Sequence, residues 1–180
     1  MPRKNEPKEV KTSNALDPNA FALAEYAALQ DEALKNNDYQ HQVISLTFIA
    51  AGTVFSLSTQ AGTQAVLLLA YPILAMFLSL GWSASAIRIK RIKLYIKDHL
   101  ETRVTGQGWE TFLHANTHKI KRSMKTYYAR GVFIGTQLIA VLLALPKLAF
   151  TSLEVLFLSA DLVAIFTVIY LTRPNRPAFL

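Results

Sequence analysis

The sequence predicts an all-α fold: a bundle of four transmembrane helices, with both termini cytoplasmic and a basic helical hairpin extending spans 2 and 3. Three observations predict it. Four windows, Val43–Gln60, Gln64–Ile87, Gly131–Leu148 and Leu153–Leu171, are each about 18–24 residues long and nearly free of charge, as a hydrocarbon core of ~30 Å demands of a helix. The cations are concentrated: residues 87–130 carry eleven Lys or Arg against Asp98, Glu101 and Glu110, whereas residues 1–40 carry five bases and seven acids. Finally, 52% of the 180 residues are hydrophobic, and a soluble domain of this size would break its apolar runs into shorter amphipathic segments.

Residues 1–16 read as a flexible polar tail with too little apolar surface to fold. A helix is expected over 17–42, with Asp17 as cap, Pro18 at the first helical position and Leu16 stapled onto Phe21. It meets no further breaker and should run on into the first span as an uncleaved anchor. Its Leu16, Leu23, Ala27 and Leu34 form a narrow stripe suited to another cytoplasmic helix.

The first transmembrane hairpin, 43–87, turns at an uncharged loop and carries Pro72, where a kink is expected. Over 88–130 the helical pattern persists past the membrane. Ile89, Ile92, Ile96 and Leu100 fall on one face, and Lys90, Lys93 and Lys97 on another. The run Thr105–Gly108 breaks this helix, and a second is expected from Trp109 to Arg130. It places Leu113, Ile120, Met124 and Tyr127 on one side and His118, Arg122 and Lys125 opposite. The second transmembrane hairpin, 131–172, has Pro146 at its turn and a Thr151/Glu154 capping box opening the last span. Residues 173–180 form a cytoplasmic tail whose Arg173 and Arg176, like the cation-rich hairpin, obey the positive-inside bias.

Asp161 stands near the middle of the fourth span, where acids face a bundle interior, a polar partner or an ion path. It is expected to be a structural acid bonded to Gln137, Thr136 or Ser159, part of a polar seam that drives assembly, or an ion site. Gly131 and Gly135 permit close helix contact, with Gly52 and Ser56 as a weaker pair; packing within one chain is expected slightly ahead of a dimer face. Arg88, Lys90, Arg91, Lys93, Lys97, Lys119, Lys121, Arg122, Lys125 and Arg130 make the hairpin basic. Its expected partners are anionic lipid headgroups first, then a cytoplasmic protein or anionic ligand, with nucleic acid last.

No cysteine is present, which excludes disulfides and cysteine-ligated metal. His114 and His118 share a helical spacing, but their run, HANTH, lacks the glutamate of a zinc-protease motif and a third ligand. Without a nucleophile motif, a phosphate loop or paired carboxylates, no enzyme, metal or cofactor is expected.

The segment Tyr95-Ile-Lys-Asp-His99-Leu-Glu101, followed by Gly108-Trp109-Glu110 and preceded by Glu25-Tyr26-Ala-Ala-Leu29, resembles a widespread group of poorly characterised bacterial membrane proteins. In that group an E-Y-x-x-L-like helix precedes a span pair and a "YI…E…GWE" turn follows it. The resemblance covers residues 21–115 and implies a bacterial inner-membrane protein without an assigned activity. Physically, the turn reads as a corner, with Tyr95 and Trp109 clamping the hairpin at the interface and Glu101 and Glu110 pairing with nearby cations. In size and layout the chain is also similar to membrane effectors and accessory subunits of anti-phage systems. A homo-oligomeric effector acting on membrane permeability is the expected function. A membrane anchor recruiting a cytoplasmic partner and a small channel or transporter subunit are the alternatives.

Overall fold

The computed structural model describes residues 18–60, 62, 64–103, 108–116 and 124–172. Every regular element among them is helical: α1 (Pro18–Ser58), α2 (Ala65–Tyr95), α3 (Trp109–Ala115), α4 (Met124–Ala144) and α5 (Ser152–Leu171). Four stretches, Pro18–Ser58, Ala65–Leu100, Thr126–Lys147 and Ser152–Leu171, are long and apolar enough to cross a membrane. Their outer surfaces display Phe48, Ile49, Phe77, Leu142, Leu156 and Phe166. Soluble monomers rarely expose so much contiguous apolar surface, whereas lipid tails accept it.

α1 is one continuous helix of 41 residues from Pro18, the first described residue; the expected cap Asp17 and staple Leu16 lie outside the described residues. α2 passes through Pro72 and packs against α1, α4 and α5. Three apolar layers follow one another along it. Leu68, Leu69 and Ala144 gather Phe157 and Leu158 near the loops. Ala51, Tyr71, Ala75 and Ala140 come next, and then Val43, Ile44, Trp82, Phe133 and Val168. The interior faces are rich in Ala and Ser, which lets helix backbones approach where no water-driven force pulls them together.

The loop ends are closed by side chains. Glu154 accepts the N–H groups of Ala149 and Thr151 at 3.0 Å each, and its own N–H donates to the Thr151 hydroxyl, completing the expected capping box. The Lys147 ammonium donates to the Ser58 carbonyl, satisfying one of the orphan acceptors at the end of α1.

Two expectations of the sequence are corrected. The face of α1 that docks is Tyr26, Leu29 and Ala33, packed on Ile92, Ile96 and Leu100. Leu23 and Leu34, 71% and 61% exposed, point away. Alanine recurs all round this helix, so its apolar stripe has no strong direction. The helix expected over Trp109–Arg130 stops at Ala115. There both the Asn116 backbone N–H, at 3.1 Å, and its side-chain amide, at 2.9 Å, donate to the Phe112 carbonyl. Residues 117–123, with Ile120, lie outside the described residues.

Candidate functional site

Two places concentrate polar chemistry: the middle of the spans and the corner that follows α2.

On α5, Glu154, Asp161, Ala164 and Val168 recur at helical spacing and form its buried stripe. α5 packs chiefly on α2, so this stripe carries Asp161 into the interior at 1% exposure. Its position between Phe157/Leu158 and Val168 sets it midway between the outermost and innermost of the three layers. Neither carboxyl oxygen receives a hydrogen bond from any described residue. Other polar groups sit at similar depth but are committed elsewhere. Gln137, fully buried, donates from Nε2 to the Pro72 carbonyl at 3.1 Å and leaves Oε1 unpaired. Thr136 donates to the Val132 carbonyl of its own helix at 2.8 Å. Tyr71 donates to the Thr47 carbonyl at 3.4 Å. Ser159 is exposed and donates to the Leu156 carbonyl, so it turns away from Asp161.

Nearer the corner, Trp82 Nε1 and Ser83 Oγ on α2 are also buried without hydrogen-bond partners among the described residues. These two were not anticipated, because an Nε1–H or hydroxyl is no signal until the helix rotation that buries it is known. Each such group costs free energy in a low-dielectric interior. Unsatisfied buried groups in a native fold call for a role, a water or an ion.

The small-residue pairs face outward. Gly131 and Gly52 are exposed, Gly135 is half-buried, and a Cβ at any of the three would meet nothing within 4 Å. Ser56 is likewise exposed. The close contact expected within the chain is not made among the described residues: α4 turns Ala129, Val132, Phe133, Thr136, Gln137 and Ala140 inward, leaving Gly131 and Gly135 on the other side.

At the corner α2 passes into a π-helical turn, Ile96–Leu100, and a 3₁₀ turn, Glu101–Arg103. The wider π turn keeps Ile96 and Leu100 buried against α1 while re-aiming the chain. Glu101 then reaches forward nine residues. Its carboxylate accepts the Glu110 N–H at 2.8 Å, the Thr111 N–H at 2.8 Å and the Thr111 hydroxyl at 2.6 Å, capping the start of α3. Burial favours its neutral form, but the Thr111 hydroxyl and the two backbone donors outweigh this and hold the carboxyl below its ordinary range. Gly108 leaves room for this arrangement: a Cβ there would overlap the Glu101 carboxyl and displace it.

Glu110 pairs with Lys93 at 3.1 Å, as expected of it; Glu101 takes backbone donors instead of a cation. Tyr95 stacks on His99 at 4.8 Å and donates to Glu25 at 2.8 Å, while Trp109, 62% exposed, stacks on Phe112. Glu25, Tyr26 and Leu29 of one sequence motif thus meet Tyr95, Ile96 and Leu100 of the other across 70 residues of chain. Spacing alone gave no sign of that meeting.

Arg88, Lys90, Arg91 and Lys93 lie on exposed positions of α2, Lys97 is half-buried beside Asp98 at 3.7 Å, and Arg130 is half-buried on α4. Lys125 lies within α4, whereas Lys119, Lys121, Arg122 and His118 lie outside the described residues. No protein-family model, curated protein or solved structure matches the chain.

Proposed function

We propose that the protein is a non-enzymatic, multi-span protein of the bacterial inner membrane that acts as an effector on bilayer permeability. Both termini and the basic corner lie on the cytoplasmic side, where a signal or partner reaches them. The observation that carries this reading is Asp161, a sealed acid with no hydrogen-bond partner among the described residues at the middle of the spans. An ionisable group at that depth is retained for function by default. A packed state that leaves Asp161, Gln137 Oε1, Trp82 Nε1 and Ser83 Oγ unsatisfied is poised to give way to one that admits water or ions. Gly131, Gly135, Gly52 and Ser56 offer outward faces on which further copies can pack closely.

A second reading, a membrane anchor, draws on the corner. Its interlocked Glu101, Gly108, Glu110 and Lys93 make a defined platform for a cytoplasmic protein. Inducing the full chain in bacteria while recording membrane potential and growth separates the two. The effector reading expects depolarisation that Asp161→Asn suppresses without loss of membrane insertion. Cells that stay polarised under every trigger, with one stable co-purifying protein, support the anchor instead.

A further inference from the structure

Where α1 and α2 leave the apolar layers, a cleft of about 520 Å³ opens between them, lined by Glu32, Lys35, Tyr39, Gly81, Ser85 and Arg88 among others. Its walls are held in register by the Ser85 hydroxyl, which donates to the Asn36 carbonyl at 2.8 Å. Its floor is Gly81: a Cβ there would lie 2.9 Å from the Tyr39 hydroxyl, so glycine lets the tyrosine lie across α2. From Gly81 to Arg88 the helix rises about 10 Å, comparable to the interfacial zone of roughly 5–8 Å outside each side of the hydrocarbon core. The cleft lies where two apolar runs end: its α1 residues, Glu32 to Tyr39, precede the start of one run at Val43, and Arg88 directly follows the end of the other at Ile87.

The charges in the cleft are specific. Lys35 is tied to Asp31 at 2.7 Å. Arg88 and Glu32 line the same cleft, and neither has an ion-pair partner among the described residues. Among the described residues, one cation and one carboxylate without an ion-pair partner therefore face a single recess. Such a pair matches a zwitterion better than an anion: guanidinium binds phosphate with a planar fork of donors, and carboxylate accepts N–H bonds from an ammonium.

We propose that this cleft binds a phospholipid with a primary-amine headgroup, the phosphate on Arg88 and the ammonium on Glu32, with an acyl chain descending past Ala84 and Gly81. The proposal rests on the membrane reading above and adds a headgroup chemistry that the overall positive charge does not suggest. A glycerol headgroup has no ammonium for Glu32, and a choline headgroup has no N–H to donate.

The test uses the full chain purified in detergent and offered equal amounts of ethanolamine, glycerol and choline phospholipids, with native mass spectrometry counting the lipids retained. Ethanolamine lipid is expected to exceed choline lipid by roughly fivefold, the equivalent of about 1 kcal/mol for the N–H hydrogen bond that only the primary ammonium can donate. Arg88→Gln should lower retention of all three by a similar factor. Glu32→Gln should abolish the preference for ethanolamine and leave total retention near wild type. Preferential retention of the glycerol lipid, a preference that survives Glu32→Gln, or displacement of the lipid by inorganic phosphate would overturn the assignment. A chain that needs detergent yet shows no preference refutes only the cleft. One that stays soluble and monodisperse without detergent refutes the membrane reading itself.

Discussion

Glu101 and Asp161 are both carboxylates on or beside long helices, and the fold treats them in opposite ways. Glu101, at a corner open to solvent, receives three hydrogen bonds and a glycine cradle. Asp161, inside the spans and sealed from solvent, receives none from the described residues. Physical cost would order them the other way, because an unmade bond matters little in water and much in an apolar interior. The corner has the marks of a feature selected to hold a shape. The interior has the marks of one selected for something that shape alone does not require. Replacing each acid by an apolar residue should therefore change stability with opposite sign.

Asp161→Val gives the largest effect. Valine is close to aspartate in size and removes a desolvated acid, so packing should improve by about 1–3 kcal/mol, the penalty of an unsatisfied buried polar group. The readout is thermal unfolding in detergent followed through Trp82, in a Trp109→Phe background that leaves a single tryptophan in the spans. Lower stability in Asp161→Val would show that the carboxyl has a partner in the native state, such as an internal water or a second copy of the chain, and the contrast with Glu101 would dissolve.

The four spans and the Thr151/Glu154 box were legible in the sequence because length, apolarity and a three-residue spacing are local properties. The burial of Asp161 was legible for the same reason: an ionisable residue mid-span almost always faces the bundle interior or a water-filled cavity. Its lack of partners was not. Whether Thr136 donates to Asp161 or to Val132 depends on the rotation of α4, which a sequence with Ala, Gly and Leu on every side does not fix. Glu101 was read as a partner for cations because its real partners, the N–H groups of Glu110 and Thr111, belong to the backbone and carry no residue signature. Gly108 directly ahead of a helix, with an acid upstream, was the available clue.

Glu101→Ala comes next, and its sign is reversed. Losing a side chain that caps a helix start costs about 0.5–2 kcal/mol, and the loss should be confined to α3. Hydrogen exchange at Glu110 and Thr111 should accelerate while amides of α2 and α5 stay protected. Gly108→Ala should act alike, since a Cβ expels the same carboxyl. Acid should mimic both. The folded carboxyl is held below its ordinary value of 4.5, so its contribution is intact above that value and disappears as pH falls through the lower, folded-state value. Protection of α3 that is unchanged by acid and by both variants would show the corner is held by apolar contacts alone.

Lys93→Met is the smallest change and the finest probe of the corner. Lys93 is 45% exposed and its partner Glu110 only 10%, so the pair spans the boundary between water and the packed turn. Half-exposed pairs are screened and contribute at most about 1 kcal/mol, and methionine keeps a long apolar stem while removing the charge. The expected result is a small loss of α3 protection, seen through Trp109 fluorescence in a Trp82→Phe background, that vanishes at high salt. If Lys93→Met instead loosens α3 as much as Glu101→Ala, Glu110 is desolvated enough to need its cation. The corner would then share the interior's dependence on buried charge, and the division between the two regions would be one of degree.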